Sequence, residues 1–533
     1  MKNIFRSFLR RTLRVFLIAL TSAFTLHAQV APYIEWQKCL GGSIGEPAYS
    51  IQQSADGGFV VAGYSWSIDG DVSGNHGLSD YWIVKLDTAG NLVWQKSFGG
   101  SNNDVAWAMD QTADGGFVVA GYSRSNDGDI TSNAGLTDYC IMKLDAAGNL
   151  EWQKSLGGSD DDWAYAIRQT TEGGFIVAGH SKSNDGDVSG NHGDWDYWVV
   201  NLDVNGNLLW QRSLGGSDED EAYAVVQTAD GGFVIAGGSD SNDGDASGNH
   251  GDGDAWIVKL DLNGNLLWQK SLGGSGDDYA YSIQQTTDGN LIVAGSSPSN
   301  DGDVSGNHGH TDYWIMKLDD SGNLLWQKSL GGSDYDQANS IQQTIDGGFI
   351  VAGYSYSSDG DVSVNHGLND YWIVKLDTAG NLVWKESLGG SDYDQANSIQ
   401  QSADGGFIIA GLTFSNDNDV SGNHDDNFGT SEDYWIVKLS SDSLTYIVCP
   451  PAYFSFLYPN PVQNLLTVSL ATQAADVSID VYDLQGRLIA LPTTFTNTQT
   501  QLNTTSLAEG FYTLQITNNK TGESKVGKFV KGN

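Results

Sequence analysis

An acidic loop that recurs along the chain carries residue types and a spacing that could do chemistry. One copy reads DGDVSGNHGDWD, from Asp185 to Asp196. It places side-chain oxygens at positions 1, 3 and 5, glycine at position 6, the backbone carbonyl of Asn191 at position 7 and a carboxylate at position 12. Oxygens wrapped around a sharp turn suit a hard divalent cation, so the loop predicts a Ca²⁺ site.

The spacing resembles the calcium loop of EF-hand proteins without its flanking helices, as in dockerin modules and integrin-like propellers. Position 12 is Asp instead of Glu, which implies weaker bidentate closure. The predicted ligands are Asp69, Asp71, Ser73, Asn75, Asp80, Asp127, Asp129, Thr131, Asp138, Asp185, Asp187, Ser189, Asn191, Asp196, Asp243, Asp245, Ser247, Asn249, Asp254, Asp301, Asp303, Ser305, Asn307, Asp312, Asp359, Asp361, Ser363 and Asp370.

The copies differ at the glycine of position 6. Copies 1, 3, 4 and 5 keep the whole pattern, whereas copy 2 has Ser132 and copy 6 has Val364 there. Because a β-branched residue resists positive φ, we predict weaker sites in copies 2 and 6. In the seventh copy the closing Asp433 stands at position 17. In an alternative interpretation, Asp and Asn only form side-chain-to-backbone turns in a solvated loop.

Three other columns of polar or aromatic residues recur with the loops. The loop histidines belong to separate repeats, so a shared zinc site is not expected. An acidic column precedes each first strand; we expect it on the same face as the loops, where turn capping is the simplest role. An aromatic column next to it predicts packing, or sugar stacking if it reaches a central channel. These columns are His76, His192, His250, His308, His366 and His424; Glu46, Asp104, Asp162, Asp220, Asp278, Asp336 and Asp394; and Tyr49, Trp107, Tyr165, Tyr223 and Tyr281, followed by Asn339 and Asn397.

The sequence shows no catalytic constellation, because its polar groups repeat evenly and its variable positions look scattered. A catalytic site gathers different groups at one place. Abundant carboxylates leave a glycosidase-like pair open. Seven similar surfaces favour multivalent weak binding over a single reaction.

Repeated units of 58 residues position these loops. Tryptophans at 36, 94, 152, 210, 268, 326 and 384 mark the period. One unit contains four strand-like runs, at 164–170, 175–181, 196–203 and 207–216, joined by glycine-containing turns. Four strands in each of seven units predict an all-β, seven-bladed β-propeller at 29–445, and a β-solenoid is the alternative.

The two ends of the repeat region predict how the ring closes. The region begins with a lone fourth strand, 33–40, and ends after a third strand, 433–439, so the first segment can complete the last blade. Residues 444–448 could compete for that place. Cys39 and Cys449 lie near the two ends, so a disulfide between them is one hypothesis and free thiols are the other.

Other recurring columns predict the core. The alanine column at Ala48 and the tryptophans of the DYW strand are expected to pack between blades, with Cys140 in place of that tryptophan in the second repeat. Each repeat carries text such as ADGGFVVAGYS followed by DYWIVKLDTAGNLVWQKSFGGS. This text resembles the delta-60 and PQQ-like propeller repeats of secreted bacterial proteins. That resemblance implies a propeller and no particular activity.

Charge and the first residues predict export. The 533 residues carry a formal net charge of −40, which argues against nucleic acid as a partner. Residues 1–28 have basic groups, an apolar run too short to cross a bilayer comfortably and a small terminal residue, so they predict a signal peptide. No other segment predicts a transmembrane helix.

The last part of the chain carries the most specific motifs. The motifs are LYPNPVQNLLTV, VSIDVYDLQGRLI and TTSLAEGFYTLQI, followed by a basic end. Together they closely resemble the type A C-terminal sorting domain of type IX secretion. Alternating strand-like runs in this segment predict a small Ig-like β-sandwich at 457–533, after a linker at 446–456. The resemblance implies recognition by the outer-membrane translocon of a Gram-negative bacterium, and an ordinary Ig-like binding domain is the alternative.

These observations together predict a secreted or cell-surface protein. We expect a calcium-stabilised propeller that binds glycan or protein ligands in adhesion, more consistent with a binding protein than with an enzyme. A secreted polysaccharide hydrolase or lyase, and a structural surface protein, stay open as alternatives.

Overall fold

The computed structural model describes residues 31–424, 431–442, 454–458, 462–470, 477–483, 487–495, 499–508, 510–518 and 524–531. The chain divides into two compact units, residues 1–442 and 443–533. The predicted signal peptide at 1–28, most of the predicted linker at 446–456 and the competing segment at 444–448 lie outside the described residues. Within the described residues, no helix has the length and hydropathy needed to span a membrane.

The first unit contains seven four-stranded antiparallel sheets among its described residues. The first two sheets are built from β2 (Ala48–Gln53), β3 (Phe59–Ser65), β4 (Asp80–Leu86) and β5 (Leu92–Phe98), and from β6 (Asp104–Gln111), β7 (Phe117–Ser123), β8 (Asp138–Leu144) and β9 (Leu150–Leu156). The third and fourth are built from β10 (Asp162–Gln169), β11 (Phe175–Ser181), β12 (Asp196–Leu202) and β13 (Leu208–Leu214), and from β14 (Asp220–Gln227), β15 (Phe233–Ser239), β16 (Asp254–Leu260) and β17 (Leu266–Leu272).

The remaining three sheets repeat this order. The fifth and sixth are built from β18 (Tyr279–Gln285), β19 (Leu291–Ser297), β20 (Asp312–Leu318) and β21 (Leu324–Leu330), and from β22 (Asp336–Gln343), β23 (Phe349–Ser355), β24 (Asp370–Leu376) and β25 (Leu382–Leu388). The seventh is built from β26 (Asp394–Gln401), β27 (Phe407–Thr413), β28 (Asp433–Leu439) and, from the other end of the unit, β1 (Ile34–Leu40). The four strand-like runs predicted in each repeat are therefore confirmed.

The sheets form a closed ring, and the fold of this unit is a β-propeller. The first strands of neighbouring sheets contact one another all the way around, including β26 of the seventh sheet with β2 of the first. Strand β1 pairs antiparallel with β28, with Cys39 opposite Trp435. The chain therefore closes the ring by completing its last sheet with its first strand, as predicted, and that edge of β28 is covered.

Hydrophobic residues are packed between neighbouring sheets. The tyrosine and tryptophan of the DYW strands dominate: Tyr139 of the second sheet lies 4.4 Å from Trp198 of the third, measured between ring centroids, and its hydroxyl donates to the Trp198 carbonyl at 2.8 Å. Both side chains are fully buried, and each contributes roughly 2–3 kcal/mol of burial free energy. The predicted core role of this tryptophan column and of the alanine column at Ala48 is confirmed.

Cys140 takes the place of the tryptophan in the second sheet and is also fully buried. The tyrosine of the preceding sheet, Tyr81, still donates to its carbonyl, at 2.8 Å. Cys39 is buried in the structure, and its disulfide with Cys449 stays a prediction. Cys449 lies outside the described residues.

The second unit contains two four-stranded sheets among its described residues. One is formed by β29 (Phe454–Tyr458), β30 (Leu465–Leu470), β34 (Gln499–Asn503) and β33 (Thr493–Phe495). The other is formed by β32 (Leu488–Ile489), β31 (Val477–Tyr482), β35 (Gly510–Asn518) and β36 (Ser524–Lys531). Residues of both sheets, such as Leu466, Leu502, Val481 and Leu514, share one hydrophobic core, so the unit is a small two-sheet sandwich.

Candidate functional site

The acidic loops connect the second and third strands of each sheet and lie at one end of the ring. Their glycines adopt the backbone that the sequence predicts: Gly74 has φ +89° and Gly190 has φ +93°. Ser132 and Val364, which replace this glycine, are absent from the residues with positive φ among those described. The loops of the second and sixth sheets therefore turn differently at position 6, because a residue with a Cβ atom disfavours positive φ.

Positions 1 and 5 hold structural hydrogen bonds in the structure. Oδ1 of Asp69, at position 1, accepts a hydrogen bond from the backbone N–H of Ser43 at 2.8 Å. At position 5, Oγ of Ser189 accepts from the Gln211 side-chain amide at 2.6 Å, and the same glutamine accepts from the indole of Trp198. These oxygens are thus bound by different donors around the loop.

Position 12 is held by the loop histidine in six of the seven sheets, and by the backbone N–H of Ala134 in the second. Oδ2 of Asp80 accepts from the backbone N–H of His76 at 2.9 Å and lies 2.6 Å from His76 Nδ1. Oδ1 of Asp80 is buried and has no hydrogen-bond partner in the described residues, and the same holds for the other six closing aspartates. Burial raises the pKa of Asp80. One carboxylate oxygen of each loop is therefore left for a proton or a cation.

The two acidic columns meet between neighbouring sheets. A methyl group added at Gly99 would lie 2.5 Å from Oδ1 of Asp80 and 2.6 Å from Oδ2 of Asp104, so both oxygens face the same point. The equivalent glycines at the other six junctions are Gly41, Gly157, Gly215, Gly273, Gly331 and Gly389. We expected these columns to converge on a surface, but both carboxyl groups are buried, because the GG turn of each repeat folds over them.

The acidic column before each first strand has the capping role that the sequence suggested. Oδ2 of Asp104 accepts from the Gly100 backbone N–H at 2.7 Å and from Ser125 Oγ at 2.8 Å, and Oδ1 accepts from Ser123. Burial raises the pKa of Asp104 to about 6, although these hydrogen bonds act in the opposite direction. The column thus ties each GG turn to the end of the second strand.

These contacts determine which loop oxygens are available to a calcium ion. The buried Oδ1 of position 12 has no hydrogen-bond partner but faces the acidic residue of the next sheet, and the oxygens of positions 1 and 5 would first have to leave their present donors. No group of three or more His, Cys, Asp or Glu side chains in the described part of the chain is arranged around a common metal position. Calcium binding therefore stays a prediction that the geometry neither requires nor opposes.

The aromatic column forms a collar around the axis of the ring. Each first strand has a β-bulge just after its alanine, for example between Ala164 and Ala166, and the bulged Tyr165 lines an axial cavity. Gly179 lies opposite, where any Cβ would meet the carbonyl oxygen of Trp163. We call the seven bulged residues the collar: Tyr49, Trp107, Tyr165, Tyr223, Tyr281, Asn339 and Asn397.

The collar has an aromatic side and an amide side. The five aromatic rings follow one another with centroids 4.1–5.4 Å apart. On the other side Asn339 and Asn397 donate to the carbonyls of Ala396 and Ala48, at 2.9 and 2.8 Å. The collar residues therefore pack against each other and line the axial cavity, and sugar stacking by them stays a prediction.

A second ring of side chains lies three residues further along the first strands and surrounds a cavity of about 270 Å³. We call it the inner ring: Gln52, Asp110, Arg168, Val226, Gln284, Gln342 and Gln400. Sequence reasoning missed it, because the departures at 110, 168 and 226 are far apart in the chain and looked scattered. Comparing the repeats column by column, with first strands placed on the axis, could have found them.

Comparisons with known proteins bear mainly on the second unit. Residues 456–531 match the family model for the secretion system C-terminal sorting domain. The chain therefore carries a type IX sorting tail, which supports a cargo protein recognised by that secretion machinery and points to an extracellular or cell-surface location. The likeness of the repeats to delta-60 and PQQ-like propellers stays a prediction.

The chain also resembles proteins of several kinds outside that family model. The regulatory protein FlaEY of Caulobacter vibrioides is 27% identical over 223 residues, which cover 39% of this chain and 23% of FlaEY. This chain thus spans less than a quarter of that relative. The WD40 domain of Neurospora crassa Pan2 covers 75% of the chain and 95% of its own, with 11% identity and a TM-score of 0.42. PorZ of Porphyromonas gingivalis, a surface component of the type IX secretion system of that bacterium, has 11% identity and a TM-score of 0.29, and the match covers 90% of this chain and 64% of PorZ.

Proposed function

We propose that this chain is a secreted or surface-displayed binding protein, built from a seven-bladed propeller and an Ig-like sorting tail, that engages glycan or protein ligands in adhesion. The observation that carries the proposal is the repetition of one acidic loop, at the same end of all seven sheets. Repeated loops on one face suit weak binding at several points of an extended ligand. The tail accounts for how such a protein reaches the cell surface.

Calcium belongs to the proposal as a stabilising ion at the loops. Its support is the spacing of the loop oxygens; the buried, unpartnered Oδ1 of position 12, as at Asp80, faces Asp104 of the next sheet and would have to turn toward its own loop. Asp69, Asp71 and Ser73 would supply further oxygens, together with the backbone carbonyl of Asn75. A bound cation would also offset the repulsion among the acidic groups of a ring in which acidic residues far outnumber basic ones.

A glycan array with and without EDTA tests the binding function. We expect retention of intact, extended glycans and weaker retention after chelation. Shortened glycan chains on the array would instead show a polysaccharide hydrolase or lyase. Absence of any retention, combined with assembly of the protein on cells, would replace the proposal with a structural surface protein.

Thermal unfolding tests the calcium part separately. With free Ca²⁺ at about 100 times the dissociation constant, each occupied site adds roughly 2.7 kcal/mol to the free energy of unfolding, so the melting temperature should rise by several degrees. Asp196→Asn in the third loop should reduce the rise by one site. The control is Asp370→Asn in the sixth loop, where Val364 replaces the glycine, and its effect should be smaller. An unchanged melting temperature in Ca²⁺ and in EDTA, with no metal found by elemental analysis, rejects calcium.

A further inference from the structure

The inner ring departs from the symmetry of the propeller on one side only. Four of its positions are glutamine, whereas the second, third and fourth sheets carry Asp110, Arg168 and Val226 there. The same three sheets also have alanine where the others have serine, one level closer to the collar. In the fifth sheet that serine, Ser282, accepts a hydrogen bond from the backbone N–H of Ile341 at 3.2 Å. Serine and glutamine at these places tie neighbouring first strands together, and Asp110 keeps the bond that glutamine makes, since its Oδ2 accepts the backbone N–H of Gln169 at 2.8 Å.

The glutamines present hydrogen-bond donors to the cavity. The side-chain carbonyls of Gln284, Gln342 and Gln400 each accept a backbone N–H of the next first strand, at 2.6–2.7 Å. Only an oxygen can accept from these N–H groups, so the orientation of each amide is fixed. The NH₂ groups of Gln284 and Gln342 are left toward the cavity that the same residues line, whereas that of Gln400 donates to Gln52 Oε1 at 3.4 Å. The amide side of the inner ring is therefore rich in donors.

Arg168 adds a positive charge to this ring. Its guanidinium donates to the carbonyl of Ile167 at 3.0 Å, and its side chain lines both the cavity at the collar and the larger one at the inner ring. Asp110 of the neighbouring strand acts on Arg168 electrostatically. Within the described residues the two side chains form no ion pair closer than 4.0 Å. A guanidinium with N–H groups left over, inside a strongly acidic protein, suits a negatively charged ligand group.

We propose that the axial channel binds one small ligand through a carboxylate group, held by Arg168 and the glutamine amides, with its ring or body against the collar. Arginine and carboxylate match in a planar, two-bond geometry. The cavity of about 270 Å³ is near the lower end of ligand pockets, which fits a molecule of monosaccharide or amino-acid size. This inference deepens the proposed binding function and rests on it for its biological setting.

The experiment measures binding by calorimetry to the intact protein, with sodium glucuronate, glucose and L-alanine as probes. We expect a carboxylate-bearing probe to bind at least roughly tenfold more tightly than glucose, because glucose lacks the group that Arg168 holds. Preference for glucuronate assigns the carboxylate to a sugar acid. Preference for L-alanine assigns it to an amino acid, with Asp110 facing the ammonium group. Failure of both acids to bind at 10 mM, about the weakest affinity such contacts would give, overturns the inference.

The repeats themselves supply the test variant. Arg168→Gln places in the third sheet the residue that four other sheets already have, so the ring should fold and melt as before, while the preference for the acidic probe is lost. Arg168→Lys is the second variant; it keeps the charge without the planar fork and should bind more weakly. The matched control, Arg124→Gln, makes the same charge change at an exposed site of the loop face.

Two results separate this inference from the proposed function. Unchanged affinity in Arg168→Gln, with the wild-type melting temperature, overturns the channel site even if the glycan array is positive. A negative array with acid binding that depends on Arg168 overturns adhesion and leaves the channel site standing.

Discussion

His180 shows, at the scale of single residues, how one change within a repeat buries an ionisable group. Tyrosine stands at this place in the first, second and sixth sheets, at Tyr64, Tyr122 and Tyr354. His180 is 1% exposed and is surrounded by Trp163, Tyr165 and Trp195, and neither of its ring nitrogens has a hydrogen-bond partner in the described residues. Burial, with a smaller effect of Lys182, lowers the pKa of His180 to about 3.

This histidine predicts a loss of stability in mild acid. Below pH 6.5 this histidine binds a proton in the unfolded chain but stays neutral in the folded one. The free energy of unfolding therefore falls as the pH drops from 6.5 toward 3, by about 2 kcal/mol at pH 5. His180→Tyr should remove that part of the pH dependence. Chemical denaturation of both proteins at pH 7.5 and 5.0 measures the difference, in which all other titrating groups cancel. Equal pH dependence in the two proteins would contradict the buried, neutral histidine.

The loop residues also show where sequence reasoning ends. The turn at Gly190 followed from the sequence, because few residues but glycine accept positive φ at low cost. The direction of each carboxylate did not follow. Asp80 faces Asp104 of the next sheet, and that approach depends on how two sheets pack. Likewise the pattern of one repeat predicted its four strands, whereas the inner ring at Arg168 exists only once seven first strands surround an axis.

At the scale of elements, the seventh sheet joins the two ends of the repeat region. Strand β1 supplies its outer strand, and Leu40 at the end of β1 is 7% exposed. Leu40 lies in a hydrophobic cluster with Ala48 and Trp82 of the first sheet and Tyr434 of the seventh. The closing strand therefore contributes to the packing between two sheets as well as to the hydrogen bonding of one.

Leu40→Asp should accordingly open the ring at its junction. A carboxylate in this cluster lacks partners, and we expect a loss of at least about 3 kcal/mol in the free energy of unfolding. Ile44→Asp, a few residues further on at a side chain that is 51% exposed, is the matched control and should change stability by less than about 0.5 kcal/mol. Urea denaturation measures both. Similar stability of the two variants would mean that β1 does not close the ring in solution.

At the scale of the whole molecule, charge and fold divide the chain in the same place. Residues 457–533 have equal numbers of acidic and basic groups, so the acidic excess belongs to the ring. Each unit has its own hydrophobic core among the described residues. The acidic ring and the sorting tail are therefore separate compact units of one chain.

This division predicts that export can be lost without harm to the ring. Leu514 is fully buried in the core of the tail, and Leu514→Asp should unfold that unit while the melting temperature of the propeller stays the same. In a host with type IX secretion, the variant should stay in the periplasm. Ser506→Asp, at an exposed position of the same unit, should reach the surface or the medium normally. Fractionation followed by immunoblotting measures both, and normal export of Leu514→Asp would refute recognition through the folded tail.

The placement of β28 bears on how the protein would withstand mechanical load. If the tail is held at the cell envelope while a ligand drags on the ring, tension enters the propeller through the end of β28 at Leu439. This strand is hydrogen-bonded on both sides, to β27 and to β1. Both rows of backbone hydrogen bonds must then break together before β28 can be pulled out of the sheet. An attachment at β28 therefore resists force better than one at an outermost strand would.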